Sequence, residues 1–276
     1  MASVQNVSVP EIADLIQQVR TQHPLVHCLT NQVAKGFTAN ALLAAGASPA
    51  MVENPDEAEE FAAIADALLI NLGTLDELQM RSMRRALFAA TSASRPWVLD
   101  PVAVGPLSTR TAFAKEILEF HPTIIRGNAS EILALAGKTE GGRGVDSADA
   151  SEAALRAAEI LTAHGKTTIL VTGQTDYVVN STQTCAIANG HPLLTRVTGV
   201  GCAMGALAAA CLAPASSPFL AAVATAVWMG VAGEIAAETT QRPGSFQIAL
   251  LDALDSLDAE ALQSRANFHT AMHPLA

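Results

Sequence analysis

Short apolar runs alternate with longer segments of helical period along most of the chain. Residues Leu25–Leu29 read as a strand, followed by a helix over 33–45 that Gly46 closes. The same pairing recurs with a strand at Ala67–Asn71 and a helix over 75–90, then a strand at 97–99 and a helix over 109–119. A strand at 123–125 leads to a helix over 129–136. The helix over 150–164 carries Ala154, Leu155, Ala158 and Leu161 on one stripe and stops at Gly165. A strand at 167–171 follows, then a hairpin or meander at 177–180 and 184–188; from Gly201 onward the pattern is mostly helical. Repeated strand–helix alternation predicts an α/β fold, with a mostly parallel sheet between two helix layers. No repeat, charge block or low-complexity linker divides the chain, so residues 1–276 read as a single domain.

In such a fold, ligands bind just past the carboxyl ends of the strands. Those ends carry Asn71-Leu-Gly-Thr74, Asp100-Pro101, Arg126-Gly-Asn128 and Thr172-Gly173. Asp100 is either a turn residue before proline or a rim carboxylate. Asn128-Ala-Ser-Glu131 fits a capping box, and Glu131 is either that box's acid or a metal ligand. An arginine directly after an apolar strand calls for an acidic or phosphate partner, which makes Arg126 a candidate phosphate contact.

Thr198-Gly-Val-Gly-Cys202-Ala-Met-Gly205 predicts a tight loop that feeds a helix N-terminus. Such an end has unpaired N–H groups and about half a positive charge, which suits an anion. The glycines either admit a phosphate or let two helices pack closely. Cys202, at the junction, points to what the loop cradles, and the helix dipole is expected to favour its thiolate. The spacing is one residue longer than the dinucleotide fingerprint. Gly137-Lys-Thr139 and Gly165-Lys-Thr167 mimic the end of a P-loop, but Ile132 and Ile160 stand where its first glycine belongs.

Composition narrows the chemistry. The net charge of −10 excludes a general nucleic-acid binder, so an anion site must be built locally. Half of the residues are hydrophobic and only 15% are charged, which suggests surface buried between subunits. The apolar runs at 201–213 and 219–237 are broken by Pro214, Trp228 and Glu234 and read as core helices rather than membrane spans. Residues 1–20 lack the pattern of a signal peptide. Cys28, Cys185, Cys202 and Cys211 show no metal-like spacing and fit free thiols in the cytoplasm. The seven histidines form no catalytic pattern, and His27, on a strand, reads as a core residue. An anion loop, a cation, a carboxylate and a weak acid on one rim suit phosphoryl transfer from a Mg-nucleotide to a small alcohol.

Eight segments in order then carry a resemblance. They are Leu25-Val-His-Cys-Leu-Thr-Asn31-Gln-Val, Phe37-Thr-Ala-Asn-Ala-Leu-Leu, Gly46-Ala-Ser-Pro-Ala-Met51, Asn71-Leu-Gly-Thr-Leu75, Leu99-Asp-Pro-Val-Ala-Val-Gly105, Ile125-Arg-Gly-Asn-Ala-Ser-Glu-Ile132, Val171-Thr-Gly173 and Val197-Thr-Gly-Val-Gly-Cys202. Spanning about residues 25–205, they resemble the signature of the hydroxyethylthiazole kinases. The resemblance implies a three-layer ribokinase-like fold and ATP- and Mg²⁺-dependent phosphorylation of 4-methyl-5-(2-hydroxyethyl)thiazole in thiamine salvage. It also implies a homotrimer with active sites between subunits. It assigns Asn31, Met51 and Gly199 to the thiazole, Arg126 and Thr172 to ATP phosphates, Asp100 and Glu131 to Mg²⁺, and Cys202 to the place of the base. Ala34-Lys35-Gly36 departs from the family pattern, and Lys35 either alters the thiazole loop or points to solvent. The competing readings are a hydroxymethylpyrimidine-type kinase, a ligand-binding homologue without turnover, and a thiol-redox protein built on Cys202.

Overall fold

A computed structural model of the protein describes residues 6–138, 147–163 and 167–273. Gly165, expected to stop a helix, and the Gly165-Lys-Thr167 mimic lie outside the described residues in whole or part, as does Thr139.

The first helix, α1 (Val9–Gln22), begins at a capping box. Ser8 accepts from the Glu11 N–H, and Glu11 reaches back to the Ser8 N–H. Then come β1 (Leu25–Leu29), α2 (Lys35–Ala44), β2 (Ser48–Ala50), α3 (Pro55–Ile64), β3 (Ala67–Asn71) and α4 (Glu77–Ser92). The alternation continues through β4 (Trp97–Asp100), α5 (Ser108–Ile117), β5 (Ile124–Asn128), α6 (Ala129–Leu135), α7 (Ser147–Ala163) and β6 (Thr168–Thr172). The hairpin of β7 (Asp176–Val179) and β8 (Gln183–Ile187) precedes α8 (Val200–Leu212), α9 (Pro218–Thr239), α10 (Pro243–Ser256) and α11 (Ala259–Arg265). The expectation of a mostly helical tail misses β9 (Phe268–Met272), which pairs antiparallel with β8.

Among the described residues, nine strands form one sheet in the order β2-β1-β3-β4-β5-β6-β7-β8-β9. The first six in that order are parallel, and the last three join antiparallel. Strand residues divide by parity between two cores, as a period of two requires. Val26, Cys28, Leu69, Val98 and Leu170 face one core, which α1, α2, α8, α9 and α10 cover. Leu68, Ile70, Leu99, Ile125 and Ile169 face the other, under α3 to α7. This is the expected three-layer fold. Helices α8 and α9 are buried on nearly every side, so their apolar residues leave no polar face. By length and composition α9 is able to cross a membrane, but its residues are packed inside the protein. The Trp228 indole N–H in its middle donates to the Leu254 carbonyl at 3.2 Å.

Candidate active site

The parallel strands end at one level. In the register Asn71 stands beside Asp100, and Asn128 beside Thr172. The rim therefore gathers the polar strand ends that the sequence pattern singles out.

Asp100 is fully buried. Its Oδ2 accepts from Asn71 Nδ2 at 2.6 Å, while Oδ1 has no hydrogen-bond partner. The nearest cation is Arg126, with Nη1 3.6 Å from that Oδ1. Burial raises the Asp100 pKa to about 7, against the pull of Arg126; Glu131 adds to the rise. Arg126 also donates from Nη2 to Thr172 Oγ1 at 3.0 Å, and its Nε is buried without a partner.

Glu131 is the acid of the capping box that its segment predicts. With Asn128 it closes a capping box: its Oε2 accepts from the Asn128 N–H at 2.9 Å and its Oε1 from the Ala103 N–H at 3.0 Å. Ala103 has φ +59°, a left-handed conformation that costs an alanine energy, so the 101–105 turn is held in shape against its own preference. The capping role of Glu131 is thus observed. An acidic pair with one orphaned buried oxygen, on Asp100, also fits a hard cation. Among the described residues no group of three metal-ligating side chains exists, so Mg²⁺ would take one or two carboxylates here and its remaining ligands from phosphates and water.

Helix α8 starts at Gly199, whose φ of +86° requires glycine. Its first turn has no side-chain cap, so its N–H groups are free for an anion. Gly201 and Gly205 face side chains of the sheet rather than a neighbouring helix. A Cβ on Gly201 would lie 2.8 Å from Arg126 Nη2, and one on Gly205 would lie 3.2 Å from Leu69 Cδ1. The alternative of helix packing therefore gives way to close approach by Arg126 and the sheet. A Cβ on Gly199 would press on Ala34 at 3.1 Å.

Cys202 is half-buried, and its Sγ accepts from Asn31 Nδ2 at 3.1 Å. The expected thiolate is overruled. Burial, then the negative charge of Asp100, pushes the thiol pKa up, and the Asn31 and Asn71 amides and Arg126 offset only part of this. The other three cysteines are buried free thiols. Met51 follows β2 and packs, half-buried, against the core. Lys35, left open by the sequence, pairs through Nζ with Glu53 Oε2 at 2.6 Å. His27 is a core residue, as expected. Its ring donates from Nε2 to the Val52 carbonyl at 2.8 Å and meets Phe61 edge-on.

Beside this cluster opens a cleft of about 720 Å³. Arg126, Thr172, Gly201, Met204 and Met229 line it, with residues 188–195 as a wall. Its size falls in the roughly 300–1,000 Å³ range of small-molecule sites. Sequence reasoning missed three parts of the cluster and its cleft. Asp176, whose Oδ1 accepts from the Gly173 N–H at 2.9 Å, is driven by burial to a pKa of about 6. Its signal was its place just past Thr172-Gly173. Asn71 was visible as a strand end but had no role. The 188–195 wall gave no signal, because backbone and loop placement build it.

A model of the hydroxyethylthiazole kinase family matches residues 16–260. The chain belongs to the hydroxyethylthiazole kinase family. Among relatives, it is 52% identical to the hydroxyethylthiazole kinase of Granulibacter bethesdensis, over 92% of this chain and 93% of that one. It is 53% identical to that of Cronobacter sakazakii, over 88% and 91%. The solved hydroxyethylthiazole kinase of Pyrococcus horikoshii superposes with a TM-score of 0.87 at 39% identity, covering 94% of this chain and 98% of that one. The pyridoxal kinase of Staphylococcus aureus shares the fold, with a TM-score of 0.63 at 15% identity over 91% and 99%. Membership makes the protein an enzyme of kinase type and its fold ribokinase-like.

Proposed function

We propose that this protein transfers the γ-phosphoryl group of ATP to the hydroxyl of 4-methyl-5-(2-hydroxyethyl)thiazole. The observation that carries the reading is the continuous chain of contacts from Cys202 through Asn31, Asn71 and Asp100 to Arg126 and Thr172, the last two of which line the cleft. Asn31, Met51 and Gly199 take the thiazole. Arg126 and Thr172, with the first turn of α8, hold the phosphates. Asp100 and Glu131 would hold Mg²⁺, which supplies charge neutralisation on the phosphates when bound.

The hydroxyl oxygen bonds to the γ-phosphorus, and the bond to the bridging oxygen breaks with its electron pair leaving on ADP. The hydroxyl proton passes to Cys202 once the sulfur is ionised. A mostly protonated thiol is a weak resting base. Phosphoryl transfer through a loose transition state tolerates this, since the proton is released late and most catalysis comes from positioning and charge. Arg126 is therefore the larger contributor.

The protein is a homotrimer with shared sites in this reading, and a cytoplasmic one, in keeping with its free thiols. Support for assembly comes from Val33, Leu43 and Ile64, apolar side chains that are 65%, 60% and 62% exposed. Met51 directly follows β2, the edge strand of the sheet.

The test is turnover with Mg-ATP on a panel of alcohols. kcat/KM for the thiazole alcohol should exceed that for ribose, adenosine and hydroxymethylpyrimidine by orders of magnitude. Comparable turnover of any of the three would reject the substrate, and binding without ADP release would favour a non-catalytic homologue.

A further inference from the structure

Asn71 has no part in the assignments above, yet it is fully buried and both ends of its amide are engaged. Nδ2 donates to Asp100 Oδ2 at 2.6 Å. Oδ1 accepts from Asn31 Nδ2 at 2.9 Å and from the Gly73 N–H at 3.0 Å. Asn31 then donates from the same Nδ2 to Cys202 Sγ at 3.1 Å, while its Oδ1 accepts from the Ala34 N–H at 2.9 Å.

Two backbone groups fix the direction of this chain. An N–H only donates, so Gly73 forces Asn71 to turn its oxygen toward it and its NH₂ to Asp100 Oδ2. Ala34 does the same to Asn31, whose NH₂ must then face Asn71 and the sulfur. Flipping either amide would set donors against donors in a buried place. Gly73 also makes room for the chain: a Cβ there would stand 2.7 Å from Asn31 Cβ and 2.8 Å from its Nδ2.

We infer that Asn71 is a positioning residue of the reaction: it ties the Asp100 carboxylate to Asn31 and so holds an N–H against Cys202 Sγ, which keeps the sulfur turned as a hydrogen-bond acceptor toward the attacking hydroxyl. The inference rests on the proposed phosphoryl transfer. Asn71 touches neither substrate in this arrangement. Its effect runs through Cys202.

A double-mutant cycle tests it, with kcat measured for wild type, Asn71→Ala, Cys202→Ala and the double variant. In the presence of Cys202, Asn71→Ala lowers kcat by about tenfold, the scale of one lost hydrogen bond to a reacting group. In the Cys202→Ala background the same change costs less than about twofold. Equal fold losses in both backgrounds would overturn the inference, because a purely structural asparagine acts regardless of the sulfur. Gly73→Ala gives a second route should Asn71→Ala fail to fold. It crowds Asn31 and leaves Asn71 in place, and its kcat loss must likewise shrink when Cys202 is alanine; an unchanged loss refutes the relay. Failure of the functional reading looks different: wild type then turns over some other alcohol, on which the same cycle is run.

Discussion

Arg126 lies so close to the backbone of Gly201 that a methyl group on the glycine would sit 2.8 Å from Nη2 and 2.9 Å from Nη1. The pair explains why the helix begins with glycine at its second position. In the proposed reaction the guanidinium lies over the first turn of α8, where the helix N–H groups and the cation would face the same phosphate.

Gly201→Ala is the direct consequence. The clash falls on the far end of a flexible side chain, so the fold should survive with a thermal midpoint close to wild type. The guanidinium must move off the helix, and kcat should fall by about tenfold or more, part of the roughly 10²–10³ that loss of a phosphoryl contact costs. Calorimetry and steady-state kinetics on the same preparation check it. Normal kcat would mean that the position of Arg126 over α8 is irrelevant to turnover.

Cys202 gives a graded series. With the thiol pKa raised by burial and by Asp100, most of the sulfur is protonated at neutral pH. Cys202→Ala should slow the chemical step by about tenfold to hundredfold, the low end for a lost general base. Cys202→Asp should keep or raise the rate, because a carboxylate is already ionised. Superimposable pH–rate profiles for wild type and Cys202→Ala would remove the base role.

His27 should shape acid stability. Its Nε2 donates to a carbonyl and its Nδ1 is buried without a partner, so the ring is held neutral; burial lowers its pKa below the ordinary 6.5. The unfolded chain then binds a proton that the folded one does not, and stability is lost as pH falls below about 6.5. His27→Gln, which keeps a donor for Val52 but does not titrate, should have a flatter stability curve between about pH 6.5 and 5. Parallel urea-denaturation curves for the two proteins across that range would contradict the buried neutral ring.

Much of this site is legible before any coordinates. Asp100, Arg126 and Thr172 each follow an apolar run, and parallel register brings such ends to one level. Other parts are not. Asn31 and Asn71 are 40 residues apart, and only the sheet order β1-β3 sets their amides side by side. The strand β2 has three residues, one a proline, with no alternation to read, and it survives because it is an edge. The helix α1 has its signal in Ser8-Val-Pro-Glu11 and in the helical stripe of Ile12, Leu15, Ile16 and Val19. The raised pKa of Cys202 comes first from burial, which has no sequence signature.

Assembly is testable by charge. Leu43→Glu places a carboxylate on an exposed apolar position of α2. If that face is covered in a trimer, light scattering should show the mass fall from about 85 kDa, three times the 28.5 kDa chain, toward one chain, with specific activity lost in step. A fully active species at 28.5 kDa would refute shared sites.

The central claim is that this rim moves a phosphoryl group onto the thiazole alcohol. The most direct measurement incubates the protein with Mg-ATP and 4-methyl-5-(2-hydroxyethyl)thiazole and identifies the product by mass spectrometry, with Arg126→Ala alongside. The account predicts stoichiometric thiazole phosphate and ADP from wild type, and a rate about 10²–10³ lower from a folded Arg126→Ala, a loss of ~3–4 kcal/mol of transition-state stabilisation. ADP without thiazole phosphate, or equal rates from the two proteins, would contradict it.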